Sequence, residues 1–160
     1  MLNSKPLIGV NADYRSARKD SPAQPLTIDS LLSPRVQKIA IANPLHAPYG
    51  FAAVKALEKL NLADKVKDKL VVAENIAQTA QFAESGNAQV GLISLTTAST
   101  PHFRDIGTFV RIPAVYPEIH QCAVVMKSSK QQAAAHAFLN WLTSQAVQPN
   151  LAQFGLEAAQ

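Results

Sequence analysis

The sequence predicts an α/β fold in which a mainly parallel sheet is flanked by helices. From Val36 onward, short apolar runs of strand length alternate with amphipathic segments of helix length, as in chains built from β-α-β units. The composition is that of a globular protein, because 48% of the 160 residues are hydrophobic and only 16% are charged. Cys122 is the only cysteine, so the fold has to be stabilised by its core rather than by a disulfide within the chain.

The first 35 residues differ from the rest of the chain. They contain four prolines and a long polar stretch over 13–21, so we predict an arm with little regular structure. Within this arm the apolar run 7–10 has the length of a short strand. Residues 27–32 predict one helical turn, which ends before Pro34.

Three strands and two helices follow in alternation. The strands are the apolar runs 39–42, 70–73 and 89–93. Pro48 stands where the first helix begins, a position at which its missing N–H costs nothing. The apolar side of this helix is predicted to carry Phe51, Val54, Leu57 and Leu60.

The second helix is predicted over 76–84, with Asn75 as its N-cap and Gly86 just past its end. Its apolar face carries Ala80 and Ala83. The remaining predicted elements are a short helix over 96–100 that Pro101 stops, strands over 106–112 and 121–126, and a longer helix over 130–142 capped by Ser128 or Ser129.

No catalytic signature is present in the sequence. There is no glycine-rich phosphate loop, nucleophile elbow or zinc-protease motif, so we predict no enzymatic activity, no metal and no cofactor. His120 and Cys122 alternate as residues on one strand face do, and we assign them to packing. His46 lacks partners at the spacing of a metal site, and we interpret it as a hydrogen-bonding loop residue.

The net charge of +4 leaves three explanations open, namely nucleic acid, an anionic ligand or simple solubility. The basic residues are not interleaved with aromatic ones, which argues against a nucleic-acid partner. No apolar run reaches the length of a membrane span, so no membrane insertion is predicted. The N-terminal residues also show no export signal.

Two strand-to-helix junctions, 47–50 and 74–76, are the best candidates for a binding site. In open α/β sheets, ligands settle at the carboxyl edge, where such junctions meet. The first-turn N–H groups of a helix have no acceptor within the helix, and the helix dipole adds about half a positive charge there. An anion can be held in such a place without a lysine or arginine. The alternative is that both junctions are ordinary helix starts.

Three stretches of the chain resemble the molybdate-binding proteins of bacterial molybdate ABC transporters. They are 38–50, which contains Ala-Asn-Pro-Leu-His-Ala-Pro-Tyr-Gly, then 73–76, and then 82–91. The resemblance runs from about Leu26 to Leu156 and does not cover residues 1–25. It implies an α/β, three-layer, periplasmic-binding-protein-like lobe.

The resemblance also implies a ligand and its contacts. Family members are two-lobed receptors that close on a tetrahedral oxyanion, molybdate or tungstate, and hold it with backbone N–H groups and hydroxyls. Carried over residue by residue, the backbone N–H groups of Tyr49 and Ile76 are the ligand donors in this chain. Ser94 stands where some members have a ligand-binding tyrosine.

By the same resemblance the chain divides into three parts. Residues 1–35 form the arm, 36–127 the second lobe, and 128–160 the C-terminal helices that pack on the first lobe in the family. Family members have roughly one more lobe before the matching part. Losing two hydrogen bonds to a charged ligand, at roughly 1.5–3 kcal/mol each, weakens binding by about 10² to 10⁴ fold.

We therefore expect a weak oxyanion receptor that forms a homo-oligomer and has a molybdate ABC transporter permease as its partner. One alternative is a binding-incompetent, oligomerising interaction module, and another is an effector-sensing module like those of transcriptional regulators. The resemblance implies a periplasmic location. Since no export signal is visible, the location would be cytoplasmic if this chain were the complete product.

Overall fold

A computed structural model of the protein describes residues 2–4, 6–10, 26–113 and 115–158. Within these ranges the strands are β1 (Leu2–Ser4), β2 (Pro6–Val10), β3 (Ile39–Ala42), β4 (Leu70–Ala73), β5 (Val90–Ser94), β6 (Phe109–Arg111), β7 (His120–Gln121) and β8 (Leu156–Ala158). The α-helices are α1 (Pro48–Lys59), α2 (Ala63–Val66), α3 (Ile76–Glu84), α4 (Leu95–Ala98), α5 (Pro101–Ile106), α6 (Gln132–Leu142) and α7 (Gln148–Leu151). Short 3₁₀ turns cover Asp29–Leu32, Lys67–Lys69 and Ala152–Phe154.

The larger sheet has five strands in the order β4-β3-β5-β2-β6. Strand β3 is parallel to both β4 and β5, whereas β2 is antiparallel to both β5 and β6. Two successive antiparallel pairings restore the direction, so β6 runs the same way as β5. The prediction of a mainly parallel sheet is therefore confirmed, with β2 as the strand of opposite direction.

Helices cover both faces of this sheet. On one face, α1 and α2 enclose the larger apolar cluster, which includes the strand residues Ile39, Ile41, Val90 and Leu92. On the other face, α3, α4 and α5 pack around Ile93 in a smaller cluster. The side chains of a strand alternate between faces, and this alternation separates Leu92 from Ile93. The arrangement has three layers, as predicted.

A second, three-stranded sheet has the order β7-β1-β8, and all its pairings are antiparallel. It brings together three distant parts of the chain, namely β1 near the N-terminus, β7 at residues 120–121 and β8 near the C-terminus. Helix α6 has no buried residue among those that the structure describes.

The predicted strand over 7–10 is confirmed as β2, and the predicted turn before Pro34 is confirmed as Asp29–Leu32. Strand β2 is not an appendage, since it lies inside the larger sheet between β5 and β6. The polar stretch 13–21 lies outside the described residues. The predicted boundaries at residues 35 and 127 stay predictions.

The predicted apolar side of α1 is wrong at one position. Leu57 is buried, and Val54 and Leu60 pack against the core, but Phe51 is 47% exposed. The face turned to the sheet instead carries small residues, among them Gly50 and Ala53. A helix that approaches a sheet this closely leaves no room for an aromatic ring.

Several predicted boundaries in the second half of the chain were also wrong. Pro101 does not stop a helix but begins α5, at the position where proline is favoured. Only two residues near the predicted strand 121–126 pair, as β7, and the strand over 106–112 shortens to β6. Helix α6 begins at Gln132 without a side-chain cap.

Candidate functional site

The loop between β3 and α1 is held by Asn43. The Asn43 carbonyl oxygen accepts hydrogen bonds from the N–H groups of His46 at 3.2 Å and Ala47 at 2.8 Å. Its side-chain Oδ1 accepts from the Leu45 N–H at 2.9 Å. Such Asx turns are typical of an Asn-Pro sequence. Asn43 is a positioning residue that the sequence analysis missed, although the Asn-Pro pair was a visible turn signal.

Helix α1 then begins at Pro48 and lies very close to the end of β3. Tyr49 occupies the second helical position and Gly50 the third. A Cβ atom on Gly50 would lie 2.2 Å from the carbonyl oxygen of Ala42, well inside contact distance. The absence of a side chain at residue 50 therefore fixes where the first turn of α1 stands.

The junction between β4 and α3 is held by a reciprocal cap. Asn75 Oδ1 accepts from the Gln78 N–H at 3.0 Å, which confirms Asn75 as the N-cap. Gln78 Oε1 in turn accepts from the Glu74 N–H at 2.7 Å. This is a variant of the capping box. Ile76, the first residue of α3, donates its N–H to no acceptor within the described part of the chain.

The two junctions lie side by side at one edge of the sheet. Strands β3 and β4 are parallel and in register, with Ala42 opposite Ala73. Neighbouring strands are separated by about 4.8 Å, so the starts of α1 and α3 are adjacent. The loop 43–48 contains no lysine or arginine. Positive potential at this edge comes from the two helix dipoles, each equivalent to about half a charge.

The structure thus places both predicted site residues, Tyr49 and Ile76, in first helical turns at the same sheet edge. That their N–H groups bind a ligand stays a prediction. The side-chain hydroxyl of Tyr49 accepts a hydrogen bond from Gln121 Nε2 at 3.4 Å. This contact ties α1 to the second sheet through β7.

A groove of about 320 Å³ lies beside α1 but is a poor candidate for an anion. It is bounded on one side by Pro48, Phe51 and Ala52 and on the other by the segment 117–121. On the α1 side its lining side chains provide no donor, and on the other side Glu118 adds a negative charge next to the donors of His120 and Gln121. The groove does not include Tyr49 or Ile76.

The histidines and the cysteine form no reactive cluster. His120 and Cys122 are both exposed, so their predicted role in packing is wrong. Strand β7 ends at Gln121, before Cys122. His120 Nε2 lies 3.4 Å from a carboxylate oxygen of Glu118. His46 is exposed as well. Among the described residues, no group of three or more His, Cys, Asp or Glu side chains is arranged to hold a metal ion.

None of the helices within the described ranges combines the length and the apolar character needed to cross a membrane.

Comparison with known proteins identifies close sequence relatives. The chain is 34% identical over 124 residues to the molybdate-binding protein ModA of Rhodobacter capsulatus, and 39% identical over 105 residues to that of Azotobacter vinelandii. These matches cover 75% and 65% of this chain but only 48% and 42% of the relatives. The chain therefore spans less than half the length of these curated relatives.

The structural comparison agrees. The solved periplasmic molybdate-binding protein of Azotobacter vinelandii matches with a TM-score of 0.77 and 27% sequence identity, over 99% of this chain and 67% of that one. The structural match thus includes the N-terminal strands, for which the sequence showed no resemblance. The relatives are binding proteins and not enzymes, in agreement with the prediction from the sequence.

The resemblance to molybdate-binding proteins is confirmed by these matches. The model of one family, described as bacterial extracellular solute-binding protein, covers residues 16–157 and so begins before Leu26, where the resemblance was placed. The chain therefore belongs to the bacterial extracellular solute-binding protein family.

Proposed function

We propose that this chain binds a tetrahedral oxyanion, molybdate or tungstate, at the carboxyl edge of the larger sheet. The backbone N–H groups of Tyr49 and Ile76 are the proposed donors, and no cofactor takes part. Hydrogen bonds to a charged group contribute roughly 1.5–3 kcal/mol each. Two of them, reinforced by two helix dipoles, are enough for weak binding and too few for a tight receptor.

One observation carries this proposal, namely that α1 and α3 begin side by side at the ends of two parallel strands in register. Each start is fixed by its own device: the loop turn at Asn43 with Gly50 for α1, and the cap of Asn75 with Gln78 for α3. Donors that are held in place before binding require no reorganisation when the ligand arrives. The relatives named above as molybdate-binding proteins support the choice of ligand.

The proposed setting follows the family. The family model is described as extracellular, and one structural neighbour is named as periplasmic. We place the protein in the periplasm, where it delivers the oxyanion to the permease of a molybdate ABC transporter.

Calorimetric titration with molybdate, tungstate and sulfate tests the proposal. We expect saturable heat with molybdate and tungstate, at an affinity weaker than micromolar, and less binding of sulfate, a smaller dianion. No heat with molybdate up to several millimolar would overturn the proposed function.

The substitution Ile76→Pro tests the donor at α3. Proline is favoured at the first helical position, and Asn75 already has the extended conformation that a following proline requires. The variant loses the N–H but keeps the helix start, so we expect affinity for molybdate to fall by about 10- to 150-fold. Ile76→Ala is the control, because it removes the same side chain and keeps the N–H. Equal affinities of the two variants would exclude this donor.

A second candidate function, an oligomerising interaction module, is favoured by exposed apolar side chains. Val124 is 79% exposed, and Phe138 and Trp141 are each more than half exposed. Side chains of this size in water typically mark a surface that contacts another protein. In this alternative the anion titration gives no heat, and the protein self-associates through α6.

A further inference from the structure

The chain directly after β7 has the composition of a strand but pairs with no strand within the described ranges. Residues 122–126 have the sequence Cys-Ala-Val-Val-Met, and valine in particular favours strands. The ladder of β7 with β1 ends at Gln121, and the backbone groups of residues 123–125 form no hydrogen bond with another described residue. We call residues 122–126 the edge segment, because β7 lies at one edge of the second sheet.

The side chains of the edge segment are apolar, and most of them face water. Val124 is 79% exposed, Met126 is 65% exposed, and Cys122 is exposed as well. Proteins usually protect an open sheet edge by placing a charged residue or a proline on it. From Ile119 to Met126, however, the sequence contains no Asp, Glu, Lys, Arg or Pro. The edge segment therefore offers both the backbone groups and the apolar side chains that a further strand requires.

The two ends of this uncharged stretch carry opposite charges. Glu118 precedes it and is 73% exposed, whereas Lys127 follows it. Lys127 and Lys130 are exposed and form no ion pair with another described residue. When two such stretches lie side by side in antiparallel directions, the acidic end of each lies beside the basic end of the other. Parallel directions would set like charges together, which is unfavourable. The charges thus favour pairing with an antiparallel copy of the same stretch.

A two-fold axis allows this pairing in only a few registers. Side chains directly opposite each other in an antiparallel pair point to the same face, and successive side chains of a strand alternate between faces. A symmetric pair therefore has one residue opposite its own copy. With Cys122 or Ala123 on the axis, Glu118 of one copy and Lys127 of the other come within one position of being opposite. In both registers the whole edge segment lies within the paired stretch.

We propose that the edge segment pairs in antiparallel fashion with the edge segment of a second copy of this chain. The two three-stranded sheets then form one sheet of six strands, with the two β7 strands at its centre. Pairing satisfies backbone groups that the single chain leaves unpaired, as in other cases of strand addition. Helix α6, which begins six residues after the edge segment and exposes two aromatic rings, can take part in the same contact. This inference goes beyond the proposed function, since it involves neither the anion nor the starts of α1 and α3.

Sedimentation of the full chain over a range of concentrations tests the pairing. We expect the parent chain to dimerise. Val124→Lys should raise the dissociation constant by about 100-fold or more, because it places a charge in the paired strand and loses the burial of two valines. Val124→Ile should dimerise within about threefold of the parent. If Val124→Lys fails to fold by circular dichroism, Met126→Lys replaces it.

Val72→Lys is the matched control for this experiment. Val72 is 53% exposed on β4, at the edge of the larger sheet, and the same substitution there should leave dimerisation unchanged. A Val72→Lys variant that loses dimerisation as Val124→Lys does would point to charge in general and overturn the inference.

Amide hydrogen exchange locates the contact. In the parent chain we expect protection of residues 122–126 to rise with protein concentration, and in Val124→Lys we expect it to stay low throughout. Full protection in the monomer would show that the chain covers this edge itself. A dimer in which these amides stay unprotected would show that the contact lies elsewhere. Either result overturns the inference.

A parent chain that stays monomeric at high concentration would also overturn it and leave the edge segment to a strand of a different protein. None of these outcomes bears on molybdate binding, which calorimetry measures separately.

Discussion

At the scale of single residues, the contact between Gly50 and the end of β3 decides where the proposed anion site lies. The ideal Cβ position of Gly50 is 2.2 Å from the Ala42 carbonyl oxygen and 2.8 Å from the carbonyl carbon of Asn43. Both neighbours are backbone atoms, which cannot swing aside as the end of a side chain can. Any side chain at residue 50 must therefore move α1 as a whole relative to β3.

The substitution Gly50→Ala tests this contact. We expect the free energy of unfolding to fall by about 1–3 kcal/mol, because overpacking outweighs the better helix propensity of alanine. Denaturation by urea measures the change. Phe51→Ala is the control at the next residue, and it should cost less than about 1 kcal/mol since nearly half of that ring already faces water. A Gly50→Ala variant as stable as the parent would show that α1 can shift without loss.

At the scale of the elements, Asn75 caps α3 and also lies next to the proposed anion site. One substitution can separate its effect on stability from its effect on binding. Aspartate is as good an N-cap as asparagine, so Asn75→Asp should keep stability within about 0.5 kcal/mol. It also adds a negative charge beside the proposed oxyanion, and we expect molybdate affinity to fall about tenfold or more, with a smaller loss at higher salt. Thermal unfolding and calorimetry measure the two effects.

Asn75→Ala is the matched comparison for this prediction. It removes the cap without adding charge, so it should lower stability by about 1 kcal/mol. Its effect on molybdate binding should be smaller than that of Asn75→Asp. If Asn75→Asp bound molybdate as the parent does, the anion could not lie at the start of α3.

The elements that the sequence predicted well are those with local signals. Asn75 capped α3 as expected, and Gly86 adopts the positive φ expected just past its end. The apolar runs of β3 and β4 were found at their observed bounds. In each case the deciding interaction lies within a few residues along the chain.

The features that the sequence did not specify depend on distant partners. Strand β2 inserts between β5 and β6, about 80 to 100 residues away, and no local pattern specifies that pairing. Strand β7 pairs with β1, which is still more distant along the chain. Phe51 was predicted to lie in the core because its side chain is large and apolar. Helix α1 lies so close to β3, however, that only small residues fit between them. For the site, the sequence predicted both helix starts but not the turn at Asn43 that positions the first of them.

At the scale of the whole molecule, apolar exposure concentrates in one part of the chain. The exposed large apolar side chains beyond residue 120 are Val124, Met126, Phe138, Trp141 and Phe154. Phe138 and Trp141 form a pair on α6 with ring centroids 5.7 Å apart. A helix of eleven residues is marginal in water on its own. We therefore expect α6 to be stabilised by contacts that bury these two rings. A second copy of the chain can provide such contacts.

The last prediction concerns this uncovered face of α6. We expect the parent chain to self-associate in sedimentation experiments as its concentration rises. The double variant with Phe138→Glu and Trp141→Glu should stay monomeric, because losing the burial of two aromatic rings in each subunit raises the dissociation constant by about 100-fold or more. Both rings are already more than half exposed, so the monomer should lose little stability.

Val72→Glu provides the control for this experiment. Val72 lies on β4, at the edge of the larger sheet, and is 53% exposed, much like the two rings on α6. Its substitution adds the same kind of charge away from α6 and should leave association unchanged. Equal loss of association in both variants would point to a general effect of charge. A parent chain that stays monomeric at high concentration would show that α6 is stable without a second copy, and self-association would then be excluded as the cover of these rings.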